Sequence, residues 1–286
     1  MNYVLENQQI VPRENVEISF LDRAYVFGDG VYEVIGVYNG VPFKMDQHLT
    51  RLQSSADQIQ LPLPYDIKVL EEKLIELQEK NHLVTGFIYL QISRGVAPRT
   101  HHFPNPEVVP KLIAHVTETT RLPDDFYAYG VNTILVEDVR WLRCNIKSLN
   151  LLPNVLAKET AIKNNCFEAI LYRGETITEG SSSNVFVVRG NKLYTHPANN
   201  YILNGITRST VIDICQKNNI EVVETAFNKE FLLNADEAFL TVTFLGIIPI
   251  RQVDEKTVGI GEITKKIQSE YYELTHKSGV GSKGVI

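Results

Sequence analysis

The sequence predicts a mixed α/β (α+β) chain in two domains, from three observations. Its 286 residues amount to one large domain or two modest ones. A polar, irregular stretch at 119–125, with Pro123, parts the chain near its middle. Beyond that stretch, short β-branched runs alternate with segments of helical period, the pattern of an α/β layer structure. The expected domains are 1–119 and 120–277, with a mobile Gly/Ser/Lys-rich tail at 278–286.

Composition narrows the class. Hydrophobic residues make up 44% and charged residues 22%, enough apolar side chain for a sizeable core. The net charge of −6, the pI of about 5.7 and the lack of a Lys/Arg-rich block argue against a nucleic-acid partner. No apolar run approaches the ~20 residues of a membrane span, and residues 1–7 lack a signal-peptide pattern. Cys144, Cys166 and Cys215 are odd in number and have no CxxC spacing, so they read as reduced thiols of a cytoplasmic protein. No His/Cys/Asp/Glu cluster has metal spacing, and metal is not expected.

In chain order, residues 2–12 read as a hairpin. Gly28-Asp29-Gly30 supplies backbone freedom for a tight turn before a strand at 31–37. Asn39-Gly40 turns that strand into a second at 41–45. Asp46 is expected to cap a helix to about Gln60, with Leu49, Leu52, Ala56 and Ile59 on one face. Residues 66–80 form a second amphipathic helix. Strands at 87–94 and 111–117 bracket a Pro-bounded loop that holds Arg99 and His101. The second half gives strands at 131–139, 168–172, 185–189, 192–195, 221–225, 238–243 and 247–253. Its helices fall at 154–164, 205–217 and 263–276, with Pro153 suited to a first turn.

Five groups of residues carry candidate chemistry. Lys147 lies among Ile146, Leu149, Trp141, Leu151 and Leu152, a setting that desolvates an ammonium and leaves an amine able to attack an aldehyde; a surface cation is the alternative. Glu179 sits in Thr-Glu-Gly, which reads as a turn after a strand, and is also an acid able to pair with a ring nitrogen. Ser181-Ser182-Ser183-Asn184 follows, able to orient that carboxylate or to reach a phosphate, or else to act as a linker. Gly205-Ile206-Thr207 opens a helix whose N–H groups suit an anion, with plain capping as the alternative. Arg99 and His101 are able to clamp a carboxylate, or form a solvated loop.

Taken together, five ordered segments resemble the class IV aminotransferases, the fold type IV pyridoxal phosphate enzymes. They are Phe27-Gly28-Asp29-Gly30-Val31-Tyr32-Glu33, His48-Leu49-Thr50-Arg51-Leu52, the stretch from Arg143 to Leu152, that from Thr178 to Phe186, and Gly205-Ile206-Thr207-Arg208. The resemblance implies a small α/β domain, a larger barrel-like domain with pyridoxal 5′-phosphate between them, and a homodimer whose partner residues border the pocket. It implies Lys147 as the Schiff-base lysine and proton shuttle. It places Glu179 on the pyridine nitrogen, with Arg51, Ile206, Thr207 and Thr243 on the phosphate and Ser183 and Asn184 nearby. Tyr32, Arg99 and His101 become the substrate-carboxylate trap of the D-amino acid branch. The implied reaction is ping-pong transfer of an amino group from a D-amino acid such as D-alanine to a 2-oxo acid such as 2-oxoglutarate. Alternatives within the fold are an (R)-selective amine transaminase, a branched-chain aminotransferase and an aminodeoxychorismate lyase. The sequence departs from the family at Val242, Phe244 and Leu245, where polar residues are expected, and at Gly36. Those changes point to an apolar pocket wall.

Overall fold

The computed structural model describes residues 1–277; the expectation of a mobile tail at 278–286 lies outside the described residues. The chain divides into two compact units, one of Met1–Thr120 with Ile146–Asn150, the other of Arg121–Asn145 with the residues from Leu151 onward.

The first unit opens with the hairpin β1 (Tyr3–Glu6) and β2 (Gln9–Pro12). It continues through α1 (Arg23–Phe27), β3 (Gly30–Tyr38), β4 (Val41–Pro42), α2 (Met45–Gln58), α3 (Ile67–Lys80), β5 (Gly86–Ser93) and β6 (Lys111–Glu118). The strands form one antiparallel sheet in the order β2-β1-β6-β5-β3-β4. Period-two alternation buries Val31 and Ile35 of β3, and Ile88, Leu90 and Ile92 of β5, in one core with Leu49 and Leu52 of α2 and Leu70, Leu74 and Leu77 of α3. Asp66 caps α3 by accepting from the Lys68 N–H at 2.8 Å.

Two local expectations change. The helix α2 begins at Met45 behind Lys44, whose φ of 51° makes the turn, and no side chain caps it. Asp46 therefore lies inside the first turn, where its charge suits the helix dipole without acting as the cap. The five-residue α1, capped by Asp22, is too short to leave a periodic signal.

The short segment Ile146–Asn150 extends this unit along β3. The Tyr32 N–H donates to the Lys147 carbonyl at 3.0 Å, and the Leu149 N–H donates to the Gly30 carbonyl at 3.0 Å. Val31 and Ser148 form a β-bridge between these bonds. The backbone of Lys147 is thus fixed by strand pairing, although the residue pattern predicts no strand there.

The second unit runs α4 (Asp124–Tyr129), β7 (Val131–Glu137), α5 (Leu152–Lys163), β8 (Glu168–Arg173), β9 (Thr176–Gly180), β10 (Asn184–Arg189) and β11 (Lys192–Thr195). It continues α6 (Ile206–Lys217), β12 (Val222–Glu224), α7 (Lys229–Leu233), β13 (Glu237–Val242), β14 (Gly246–Val253), β15 (Lys256–Thr257) and α8 (Glu262–Lys277). The strand order is β12-β11-β10-β13-β14-β7-β8-β9, with β15 on β14. The sheet is mixed and half-barrel in form, as the fold class predicts. The parallel pair β7–β8 needs a crossover, which α5 supplies. Phe186 and Phe239 stack at its core, their ring centroids 5.0 Å apart.

Glu179 lies in strand β9, antiparallel to β8, and not in a turn. Its run is too short to show alternation, and burial beside β8 overrides the turn propensity of Thr-Glu-Gly. The helix α4 likewise falls partly in the stretch read as irregular.

Candidate active site

The predicted residues resolve into groups within each unit. In the first unit, the Lys147 ammonium lies over the Tyr32 ring, 4.1 Å from its centroid. Tyr32 stacks in turn on Tyr89 at 5.9 Å, and Tyr89 on His115 at 5.2 Å, across neighbouring strands β3, β5 and β6. Burial, helped by Tyr32, pushes the Tyr89 phenol up to about 12. The Lys147 amide donates to Ser55 Oγ of α2 at 3.2 Å. Of the apolar residues near it in sequence, Ile146 is buried, while Trp141 and Leu152 are 42% and 69% exposed. Strand pairing presents Lys147 to an aromatic ring.

Arg51 is held by a residue missed as a site member. Glu33, on the face of β3 opposite Tyr32, accepts from Arg51 Nε at 2.7 Å and Nη2 at 2.9 Å, and lies 2.8 Å from His48 Nδ1. Burial opposes the Glu33 charge, but Arg51 and His48 outweigh it and bring the carboxyl down to about 2. Burial, with Arg51 and Lys147 adding repulsion, lowers the His48 imidazole against the pull of Glu33. The signal for this group was the spacing of His48 and Arg51, one helix turn apart on α2.

Arg99 and His101 gather elsewhere in the same unit. Both are exposed and pack around Phe27, the guanidinium 5.1 Å and the imidazole 5.5 Å from its ring centroid. Arg23 braces the loop by donating to the Thr100 carbonyl at 2.8 Å. Within one chain, Tyr32 keeps company with Lys147 and Tyr89, and Arg99 and His101 with Phe27.

In the second unit, Glu179 is buried and receives three donors. Arg140 Nη1 donates to Oε1 at 2.5 Å, while Asn184 Nδ2 and the Leu203 N–H each donate to Oε2 at 3.0 Å. Burial pushes the carboxyl up to about 7 even though Arg140 pulls the other way. Arg140 is itself clamped by Asp138, through Nε at 2.9 Å and Nη2 at 2.8 Å. Asp138 also accepts from Thr178 Oγ1 at 3.0 Å and Arg173 Nε at 3.1 Å. Of the serine run, Ser181, Ser182 and Ser183 donate to the buried Glu168 at 2.5, 3.2 and 3.0 Å. Asn184 therefore orients Glu179, while the serine hydroxyls anchor the turn between β9 and β10. Arg140, Asp138 and Glu168 were missed as site members. An acid at the head of an apolar strand run was the available signal for Glu168.

Gly205 precedes α6 with no side-chain cap, and a Cβ there would lie 2.3 Å from Asn184 Oδ1. Only glycine lets that backbone approach so closely. Ile206 and Thr207 follow, 8% and 6% exposed. On the neighbouring strand β13, Thr241 pairs with Asn184 and keeps a buried hydroxyl without a hydrogen-bond partner. Thr243 lies just beyond, in the turn before β14, and there Phe244 adopts φ 67°. Of the apolar departures, Val242 and Leu245 pack against the unit's own core. At Gly36 the space is taken by Tyr38, whose ring lies 3.1 Å from where a Cβ would stand.

Residues 30–253 match the family model described as amino-transferase class IV. The chain belongs to the class IV aminotransferases. This aminotransferase is 46% identical over 274 residues to the D-alanine aminotransferase of Staphylococcus aureus strain MSSA476, covering 95% of this chain and 97% of that one. It is 44% identical to the D-alanine aminotransferase of Bacillus licheniformis, covering 93% and 94%. Among solved structures, the Escherichia coli branched-chain amino acid aminotransferase superposes with a TM-score of 0.90 at 26% identity, covering 99% of this chain and 97% of that one. A second branched-chain amino acid aminotransferase, from T.th. and solved with pyridoxamine 5′-phosphate, gives 0.89 at 26%, covering 96% and 94%.

As a class member, the aminotransferase works with pyridoxal phosphate. Its residues fit that group. Glu179 is an acid with three donors in place and acceptor capacity left on Oε1, as a ring N–H requires. The uncapped start of α6 and the orphaned Thr241 hydroxyl, each beside Asn184, offer unspent polar groups, as an oxygen-rich anion requires. Among the described residues, no helix is long and apolar enough to cross a membrane.

Proposed function

We propose that this aminotransferase moves an amino group from a D-amino acid such as D-alanine to a 2-oxo acid such as 2-oxoglutarate, in two half-reactions. One observation carries the reading: relatives named D-alanine aminotransferase match 95% of the chain at 46% identity. Bound pyridoxal phosphate supplies the electron sink for the charge left when the α-proton departs. Lys147 would hold that group covalently through its amine, and the same amine would carry the proton from the α-carbon. The Tyr32 ring positions that amine. Glu179, set by Arg140 and Asn184, accepts from the ring nitrogen. Arg51, Ile206, Thr207 and Thr243 hold the phosphate, with Ser183 and Asn184 shaping the turn beside it. Tyr32, Arg99 and His101 bind the substrate carboxylate.

In Lys147→Ala, both half-reactions should fall by at least about 10³-fold, since the covalent anchor and the proton carrier vanish together. Turnover near the wild-type rate would refute the assignment. Cofactor spectra recorded while adding D-alanine, D-glutamate, L-leucine and (R)-1-phenylethylamine separate the D-amino acid reading from its branched-chain and amine alternatives. Pyruvate release from aminodeoxychorismate marks the lyase.

The enzyme is proposed to act as a cytoplasmic homodimer, with the amino donor and 2-oxo acid as its small-molecule partners. Leu152, Val155 and Leu156 share one face of α5 and are 69%, 59% and 57% exposed, which leaves an apolar stripe for a second copy to cover. Sedimentation should give a dimer near 65 kDa, about twice the 32.4 kDa chain. Val155→Glu should shift it toward monomer.

A further inference from the structure

The second unit holds a chain of buried ionic contacts that ends on Glu179. Arg140 Nη1 donates to Glu179 Oε1 at 2.5 Å, its Nε/Nη2 edge is taken by Asp138, and Nη2 also donates to the Tyr201 carbonyl at 3.2 Å. Both side chains of the Arg140–Glu179 contact are nearly sealed, 7% and 6% exposed. Asp138, fully buried, is fixed on its far side by Thr178 and Arg173. Arg173 in turn donates to the Arg140 carbonyl at 2.9 Å, which closes a ring of contacts around the guanidinium. Arg140 therefore has no freedom to follow a moving carboxylate, and the carboxylate must follow Arg140.

Glu179 has room for one further donor. A carboxylate offers about four acceptor directions, and three are used, two on Oε2 and one on Oε1. The open direction belongs to the oxygen that Arg140 holds. A donor arriving there shares Oε1 with a fixed cation, so only an ionised Glu179 accepts from both.

We infer that Arg140, braced by Asp138, is a positioning residue that keeps Glu179 charged and aimed for the cofactor's ring N–H. The inference rests on the proposed role of Glu179. It predicts that Arg140 matters only to a ligand with a ring nitrogen. In a sealed site, a Glu179 stripped of its cation takes up a proton and becomes a competing donor. It then no longer favours a nitrogen over a carbon at that position.

The test compares apoenzyme affinity for pyridoxal phosphate and for its 1-deaza analogue, in which carbon replaces the ring nitrogen. Both carry the same aldehyde and phosphate, so their affinity ratio within one protein cancels effects of folding and of the lysine bond. Wild type should favour pyridoxal phosphate by at least about tenfold, the scale of one charge-assisted hydrogen bond. Arg140→Met should bring the ratio close to one while leaving affinity for the deaza analogue within about threefold, the scale expected when no bond to that ligand is lost. Arg140→Lys should restore part of the preference. If Arg140→Met does not fold, Thr178→Val, which removes one brace from Asp138, should lower the ratio in the same direction. A ratio unchanged in these variants, or equal weakening of both ligands, overturns the inference. A wild type that binds both ligands equally overturns the role of Glu179, and one that binds neither overturns the proposed function.

Discussion

Two buried carboxylates, one in each unit, are built from similar parts and shift in opposite directions. Glu33 meets an arginine edge-on, through two nitrogens, and has an imidazole besides. Its carboxyl falls to about 2. Glu179 meets one nitrogen of an arginine already shared with Asp138, and its other donors are neutral amides. Its carboxyl rises to about 7. Burial opposes the charge of both, so the difference lies in compensation. A carboxylate matched by its own two-pronged cation is a structural anchor. One that shares its cation is left able to answer a further positive partner.

The largest effect should come from breaking the fully compensated pair. Glu33→Gln removes the partner of a guanidinium only 12% exposed, and should cost about 3 kcal/mol or more in stability by denaturant titration. A cost below about 1 kcal/mol would mean that Arg51 finds equivalent partners without it.

The pH dependence of the cofactor-free protein should then separate the two sites. The folded value of Glu33 lies below its ordinary 4.5, so its stabilisation is full above about pH 4.5 and is lost as pH falls toward 2, about 3 kcal/mol in all. The folded value of Glu179 lies above 4.5, so the sign reverses: stability is highest below 4.5 and declines as pH rises through 7. Glu33→Gln should flatten the acid limb and Glu179→Gln the decline between about pH 4.5 and 7. Melting temperatures across that range check both. The same slope in Glu179→Gln as in wild type would remove the contrast.

The smallest effect sharpens the comparison. Thr178→Val deletes one neutral donor to Asp138 and should cost about 1 kcal/mol. Truncating Ser183, one of several donors to Glu168, should cost no more.

Much of this was legible in the residues. Asn39-Gly40 and Pro153 each marked an element boundary through local backbone chemistry, and each holds. The apolar faces of α2 and α3 followed from their period. Lys147 and Glu179 stood out once five segments were read in order, although neither was distinctive alone. Arg140 and Glu33 were visible as letters and invisible as site members. The contact of Arg140 with Glu179 spans 39 residues, and that of Arg51 with Glu33 spans 18. Nothing local records such a pairing. The strand at Thr176–Gly180 was lost because its five residues follow turn propensity, which packing beside β8 overrides.

The sequence by itself determined most of the elements and the faces they bury, and it singled out one amine and one acid as candidates, because period, capping and turn preference act over a few residues. Tertiary structure alone decided how each charge is compensated. Tertiary packing brings one nitrogen of Arg140, itself held by Asp138, to one carboxylate, and two nitrogens of Arg51 to another. The ionisation of a buried acid depends on those few ångströms, which no local pattern encodes.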